Sequence, residues 1–378
     1  MTPISREFQV FAKPVGALCN LSCSYCYYLD KLELHKKNES AKMPEHLLEK
    51  YIIQHIESTT EDVILFSWHG GEPTLAGLDY FKKIVELQKK HIDRAKTIVN
   101  GIQTNGTLLD DKWCEFFQKE NFIVGISIDG PEHLHNKHRV TNTGKDSFEK
   151  VIKGYSLLKK YNITSEILCV VNAHNVNHPI EIYNFFKHLD TRYISFLPLV
   201  ERKMDTTSDV DEDSVPSKAF GDFLTAIFDE WIEKDIGKIK IQIFEEALRT
   251  AFNQEHTLCI FKRNCGGVPA LEKNGNLYSC DHFVNTENFL GNINDIHLAD
   301  MLDSGKQRQF GRAKYDTLPQ YCLKCEVLEM CHGECPKNRF IKTPTGEDGL
   351  NYLCEGYKKF FKHCKPFIEA ISTVWKMQ

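Results

Sequence analysis

Three cysteines crowded into one short run, Cys19-Asn-Leu-Ser-Cys23-Ser-Tyr-Cys26, constrain this chain more than any other feature. Thiolates are the soft ligands that iron–sulfur clusters require, and four per cluster is the usual count. A C-x3-C-x2-C loop holds three irons of a [4Fe–4S] cluster and leaves the fourth open. A catalytic zinc site keeps a free position in the same way. An open iron points to chemistry rather than to electron storage. The same thiols can equally serve zinc, with His35 as the nearest later candidate for a fourth ligand, or pack as core residues. The spacing favours iron and sulfide.

Bulk properties narrow the setting. A chain of 378 residues has room for one large domain and a smaller one. Its N-terminus lacks the apolar core of a secretory signal, so 14 cysteines read as metal-binding or catalytic thiols of a reducing compartment rather than as disulfides. A net charge of −5 argues against a general nucleic-acid binder, and no apolar run reaches membrane-spanning length. The expected location is the cytoplasm, with neither nucleic acid nor membrane as partner.

From Phe8 to about residue 200, short apolar runs alternate with amphipathic stretches. Phe8–Ala12, Val63–Trp68, Ile98–Gln103, Phe122–Ile128, Glu166–Val171 and Tyr193–Leu197 read as strands. Helices are expected from Pro44 to Ile56, Leu78 to about His91 and Asp111 to Lys119. Repeated βα units imply a parallel sheet with right-handed crossovers, open or closed into a barrel, with function at the C-terminal strand ends. Those ends carry polar motifs. Val63–Trp68 runs into His69-Gly70-Gly71-Glu72-Pro73, where paired glycines admit a ligand to the backbone and Glu72 can accept from an amine. Gln103-Thr104-Asn105-Gly106 follows the next strand, and Ser127-Ile-Asp129-Gly130 the one after, with Arg139 beyond. A serine hydroxyl suits a ribose and an arginine fork suits a carboxylate. Asp129-Gly130 reads equally as a plain turn, and Arg139 as a surface charge.

Composition changes after about residue 201. Asp205–Asp213 is acidic and aperiodic, a solvated loop that can also steer a basic peptide. Helices follow over Ser217–Lys234 and about Phe244–Asn253. Then come Cys259, Cys265, Cys280, Cys322, Cys325, Cys331, Cys335 and Cys354. Eight thiolates suffice for two fully ligated [4Fe–4S] clusters or for two four-cysteine zinc sites, and spacing does not separate the metals. Cys114 and Cys169 read as small buried hydrophobes, and Cys364 carries no assigned role.

The cysteine loop with Tyr25, the GGEP run and the strand ends resemble the radical S-adenosylmethionine (SAM) enzymes, and the later cysteines resemble the SPASM module found in some of them. With the Cys280-Asp281 pair, the stretch from Phe8 through Cys354 is similar to the anaerobic sulfatase-maturating enzymes. The resemblance implies a partial (β/α)6 TIM-type barrel over residues 1–235. It implies a SPASM domain with a C-terminal helix over residues 236–378. SAM would be held by Tyr25, Gly70, Gly71, Glu72, Gln103, Ser127, Arg139 and Val200, with its own [4Fe–4S] cluster on Cys19, Cys23 and Cys26. Two auxiliary [4Fe–4S] clusters would sit on Cys259, Cys265, Cys280 and Cys335, and on Cys322, Cys325, Cys331 and Cys354. Asp281 would be the general base in oxidising a Cys or Ser of an unfolded sulfatase segment to Cα-formylglycine. The electron source would be a flavodoxin- or ferredoxin-type reductant. His69 stands where related maturases often have Gln. Two rivals are weighed against this: a radical SAM maturase that crosslinks peptides, and a non-enzymatic electron-transfer or zinc protein. Many of the crosslinking enzymes carry an N-terminal recognition domain, for which the residues before Cys19 leave no room.

Overall fold

The computed structural model describes residues 8–28, 31, 40–203 and 209–376. His35 and residues 204–208 of the acidic stretch lie outside them. Six strand–helix steps run in chain order. They are β1 (Phe11–Ala12) with α1 (Glu45–Ser58), β2 (Val63–Trp68) with α2 (Leu78–His91), and β3 (Thr97–Thr104) with α3 (Asp111–Lys119). Then come β4 (Ile123–Ser127) with α4 (Glu132–His135) and α5 (Phe148–Lys160), β5 (Ser165–Val171) with α6 (Pro179–His188), and β6 (Tyr193–Pro198) with α7 (Ser217–Lys234). Local signals set several boundaries. Pro44 stays extended just outside α1, Asp110 caps α3 by accepting from the Trp113 N–H, and Pro179 opens α6.

The strand expected from Phe8 shortens to β1. The Gln9 N–H already bonds the Gly267 carbonyl, but regular pairing begins at Phe11 and ends at Pro14, which has no N–H to give. Further strands that the sequence did not reveal follow α7: β7 (Lys240–Ile241), β8 (Ala270–Leu271), β9 (Asn276–Tyr278), β10 (Phe289–Asn292), β11 (Arg339–Ile341) and β12 (Leu350–Asn351).

The chain forms two compact units. The first comprises Met1–Ser127, Arg139–Ser165 and Gly266–Gly311. In it β1, β2, β3 and β4 are parallel neighbours, and β8 lies parallel to β1 on its other edge, extended by antiparallel β9 and β10. Its core gathers Tyr51, Phe66, Trp68, Phe81 and Phe117, all fully buried. The Trp68 indole N–H is satisfied by the Asn100 side chain at 2.9 Å, so the ring is buried without an orphaned donor.

The second unit comprises Ile128–His138, Glu166–Cys265 and Arg312–Gln378. Here β5, β6 and β7 are parallel and β11 pairs antiparallel with β12. The helix Cys354–Lys376 packs against α7 at a glycine contact: a Cβ on Gly356 would lie 2.1 Å from the Ser217 carbonyl oxygen. That close approach fixes the start of the helix, and with it Cys354. None of the described helices is long and apolar enough to cross a membrane.

Candidate functional site

β1 hands the chain directly to the cysteine loop, and the loop after β2 closes on it. The Gly71 N–H donates to Gly16 at 2.7 Å and the Glu72 N–H to Leu18 at 2.8 Å. A Cβ on Gly71 would sit 2.1 Å from the Leu18 carbonyl oxygen, so only glycine allows this docking. Gly70 takes φ +124°, a conformation that also favours glycine.

Glu72 is fully buried and ties two strand ends together. Its Oε1 accepts from the Thr74 N–H, the Thr74 hydroxyl and the Thr104 hydroxyl, and its Oε2 from the Asn105 N–H at 2.7 Å. Asn105 then donates to the Cys19 Sγ at 3.8 Å and to Asn20 at 2.9 Å. The carboxylate expected to face an amine is thus held by four protein donors and braces the cysteine loop. Cys23 is buried, whereas Cys19 and Cys26 are half-buried. Burial pushes the Cys19 thiol up to about 11, so at neutral pH it keeps its proton until a bound metal displaces it.

The other strand-end residues of this unit gather nearby. Gln103 donates to the Ser127 hydroxyl at 3.1 Å. Leu21 bridges to Thr141, and the Ser22 N–H donates to Val140, which brings Arg139 beside the loop. Its guanidinium lies 5.4 Å from the Tyr25 ring centroid and the residue is 7% exposed, which excludes the surface-charge reading. Val200 belongs to the second unit and is buried.

Asp281 lies in the first unit, in a short 3-10 turn that follows Cys280. The Lys13 ammonium sits 2.6 Å from its Oδ1 and the Tyr27 hydroxyl donates to its Oδ2. Both members of the ion pair are buried. Burial alone raises a carboxyl pKa, but the charges of Lys13 and His282 and the bonds from Lys13 and Tyr27 outweigh it and hold Asp281 at about 2. Lys13 also lies 3.8 Å from the Tyr28 ring centroid, and the Tyr28 hydroxyl donates to Glu272. His69 stacks on Phe11 with centroids 3.8 Å apart, and burial, then the charge of Lys13, push its imidazole down to about 3, keeping it neutral.

Sequence reasoning passed over Lys13, Tyr27, Tyr28 and Glu272. The available signal was position: Lys13 closes β1 and the tyrosines directly follow Cys26. Their joining to Asp281 depends on β1 pairing with β8.

In the second unit, Cys322, Cys325, Cys331 and Cys354 line one cavity, with Tyr321 and Lys358 at its wall. Four soft thiolate donors around one cavity suit a [4Fe–4S] cluster, which takes four such ligands. Cys259, Cys265 and Cys335 belong to the same unit, and Cys280 to the first. Cys114, Cys169 and Cys364 are fully buried, as small apolar side chains are.

Comparison with known proteins agrees with this chemistry. Residues 14–186 match the radical SAM superfamily, and residues 267–326 match the SPASM iron–sulfur cluster-binding domain. A serine-type anaerobic sulfatase-maturating enzyme of Bacteroides thetaiotaomicron is 46% identical, over 97% of this chain and 92% of its own length. A cysteine-type enzyme of Clostridium perfringens is 32% identical, over 97% of each. A solved structure of native anSMEcpe with bound AdoMet superposes with a TM-score of 0.88 at 31% identity, over 97% of this chain and 99% of that one. In another, with a TM-score of 0.87, the same protein carries both AdoMet and the Cp18Cys peptide. Fold, cysteine pattern and likeness over nearly the full length together show that the chain is a radical SAM oxidoreductase with a SPASM domain, belonging to the anaerobic sulfatase-maturating enzymes.

Proposed function

We propose that this chain oxidises a serine side chain in an extended sulfatase segment to Cα-formylglycine, with cysteine as a second substrate. The observation that carries the reading is the buried Lys13–Asp281–Tyr27 array, folded in the same unit as the Cys19/Cys23/Cys26 loop. The 46% identity to a serine-type relative, against 32% to a cysteine-type one, favours serine.

The residue roles are those the resemblance to the family implies. Cys19, Cys23 and Cys26 hold the SAM-binding cluster. Gly70 and Gly71 offer backbone at close approach, and Tyr25, Glu72, Gln103, Ser127, Arg139 and Val200 contact SAM. Cys259, Cys265, Cys280 and Cys335 ligate one auxiliary cluster, and Cys322, Cys325, Cys331 and Cys354 the other. The functional boundary falls near residue 235. When bound, SAM and its cluster supply a radical that removes a hydrogen atom from the substrate Cβ, and the auxiliary clusters supply an electron sink.

Asp281 takes the hydroxyl proton. It is ionised, with the Lys13 ammonium against its Oδ1 and the Tyr27 hydroxyl donating to its Oδ2. Hydrogen atom, proton and electron together make up the two hydrogens lost from serine. A flavodoxin- or ferredoxin-type protein delivers the priming electron, and the reaction runs in the cytoplasm.

Lys13→Met is expected to leave the Asp281 charge buried and unpaired, a change that typically costs about 3–5 kcal/mol. Thermal denaturation should show the loss, and aldehyde yield per SAM cleaved should fall. Equal stability and yield would remove Lys13 from this role. The reaction itself is tested with a peptide carrying β-deuterated serine. Deuterium should appear in 5′-deoxyadenosine alongside an aldehyde in the peptide. Deuterium transfer without aldehyde, or a crosslinked peptide, would move the crosslinking reading ahead.

A further inference from the structure

The cysteine-rich part of the second unit contains two cations, Lys314 and Arg339, that spend their hydrogen bonds on backbone carbonyls. Lys314 is 1% exposed, and its ammonium donates to the carbonyls of Cys259 at 2.8 Å and Ile260 at 2.7 Å. Arg339 is half-buried and spends its guanidinium on four carbonyls, those of His332, Gly333, Glu334 and Lys314. Among the described residues, every one of these hydrogen bonds ends on backbone. Three of the carbonyls belong to consecutive left-handed residues, His332, Gly333 and Glu334, with φ of 44°, 70° and 52°. Such a run persists where its surroundings over-determine it, and the Arg339 fork does so between Cys331 and Cys335.

Taking a cation out of water is expensive unless an opposite charge lies nearby. The thiols of Cys265 and Cys259 are within electrostatic reach of Lys314, together with Glu334 and Arg339. Cys331, Cys265 and Cys322 are within reach of Arg339, again with Glu334. The Glu334 carboxylate is itself engaged by Asn351 at 2.6 Å and Asn338 at 3.1 Å. Lys314 therefore faces one set of thiols, and Arg339 faces both sets.

We propose that Lys314 and Arg339 set the reduction potentials of the auxiliary clusters, holding them high enough to accept the substrate electron. The proposal rests on the cluster assignment made above. Accepting an electron adds one negative charge, and a fixed cation nearby stabilises that state. Net charge and hydrogen bonding around the sulfurs are the terms a protein uses to place such potentials. Lys314 acts on the cluster bound by Cys259 and Cys265. Arg339 acts on that cluster and on the one bound by Cys322 and Cys331.

The test is a redox titration of the fully reconstituted enzyme, followed by electron paramagnetic resonance after iron and sulfide have been counted. The SAM-binding cluster serves as the internal reference. Lys314→Met should lower the midpoint of one auxiliary cluster, Lys314→Arg should leave it unchanged, and Arg339→Gln should lower both auxiliary midpoints. Unchanged midpoints in fully loaded variants would overturn the proposal. Equal shifts in Lys314→Met and Lys314→Arg would overturn it too, since packing rather than charge would then be responsible. If Lys314→Met fails to hold its cluster while Lys314→Arg loads fully, charge is still the requirement and the proposal stands. If both fail to load, the side chain is structural and the proposal falls. A wild-type protein without auxiliary iron would instead refute the cluster assignment, so the two failures are distinguishable.

Discussion

Asp281→Asn is expected to cleave SAM at the wild-type rate while aldehyde formation falls by about 10²–10⁴-fold, the range of a positioned general base. The amide keeps the shape of the carboxylate but has no charge with which to take a proton. It also leaves Lys13 facing a neutral group, so some loss of thermal stability should accompany the loss of product. The measurement compares 5′-deoxyadenosine with peptide aldehyde in the same reaction, which separates radical generation from the later proton transfer. A variant that forms aldehyde normally would remove Asp281 from the mechanism, whatever its place beside Cys280. A variant that loses both products equally would mean that the Lys13–Asp281 pair shapes the SAM site.

Cys23→Ala should abolish SAM cleavage altogether and lower the iron content by one cluster. Cys23 is the most buried of the three thiols in its loop, and no other described cysteine lies within that loop to replace it. The effect should be all-or-none, because a cluster held by two thiolates lacks the ligand count that keeps it assembled. Auxiliary signals should persist in electron paramagnetic resonance, since the Cys322/Cys325/Cys331/Cys354 cavity belongs to the other unit. Normal 5′-deoxyadenosine formation would contradict the assignment of this loop.

Much of the site was legible because its signals are local. Val63–Trp68, Asp111–Lys119 and Ser217–Lys234 match the observed elements to the residue, and the helix expected from Leu78 to about His91 spans Leu78–His91. Each is an apolar or amphipathic run long enough to show its period. The glycine pair after β2 was legible for a steric reason, since Gly71 touches the Leu18 backbone where any side chain would collide. The short strands β8, β9 and β10 were not, because two to four residues carry no period. Their absence from the reading also hid Lys13, whose partner Asp281 arrives only through the pairing of β1 with β8. At Glu72 the motif suggested a ligand contact, and what it did not show is that Thr104 and Asn105, contributed by the end of β3, also hold the carboxylate. Arg139 was ambiguous in sequence because its burial depends on the cysteine loop, brought alongside through the Ser22–Val140 hydrogen bond with Tyr25 near the guanidinium.

The central claim is that this chain makes an aldehyde from a side chain of a sulfatase peptide. Mass spectrometry of serine and cysteine versions of a short sulfatase-like peptide, after anaerobic incubation with reconstituted enzyme, SAM and a reductant, tests it most directly. The account predicts a hydrazine-reactive product from both, formed faster from serine, with the serine peptide lighter by two hydrogens. SAM cleaved to 5′-deoxyadenosine while both peptides stay unchanged or become crosslinked would contradict it.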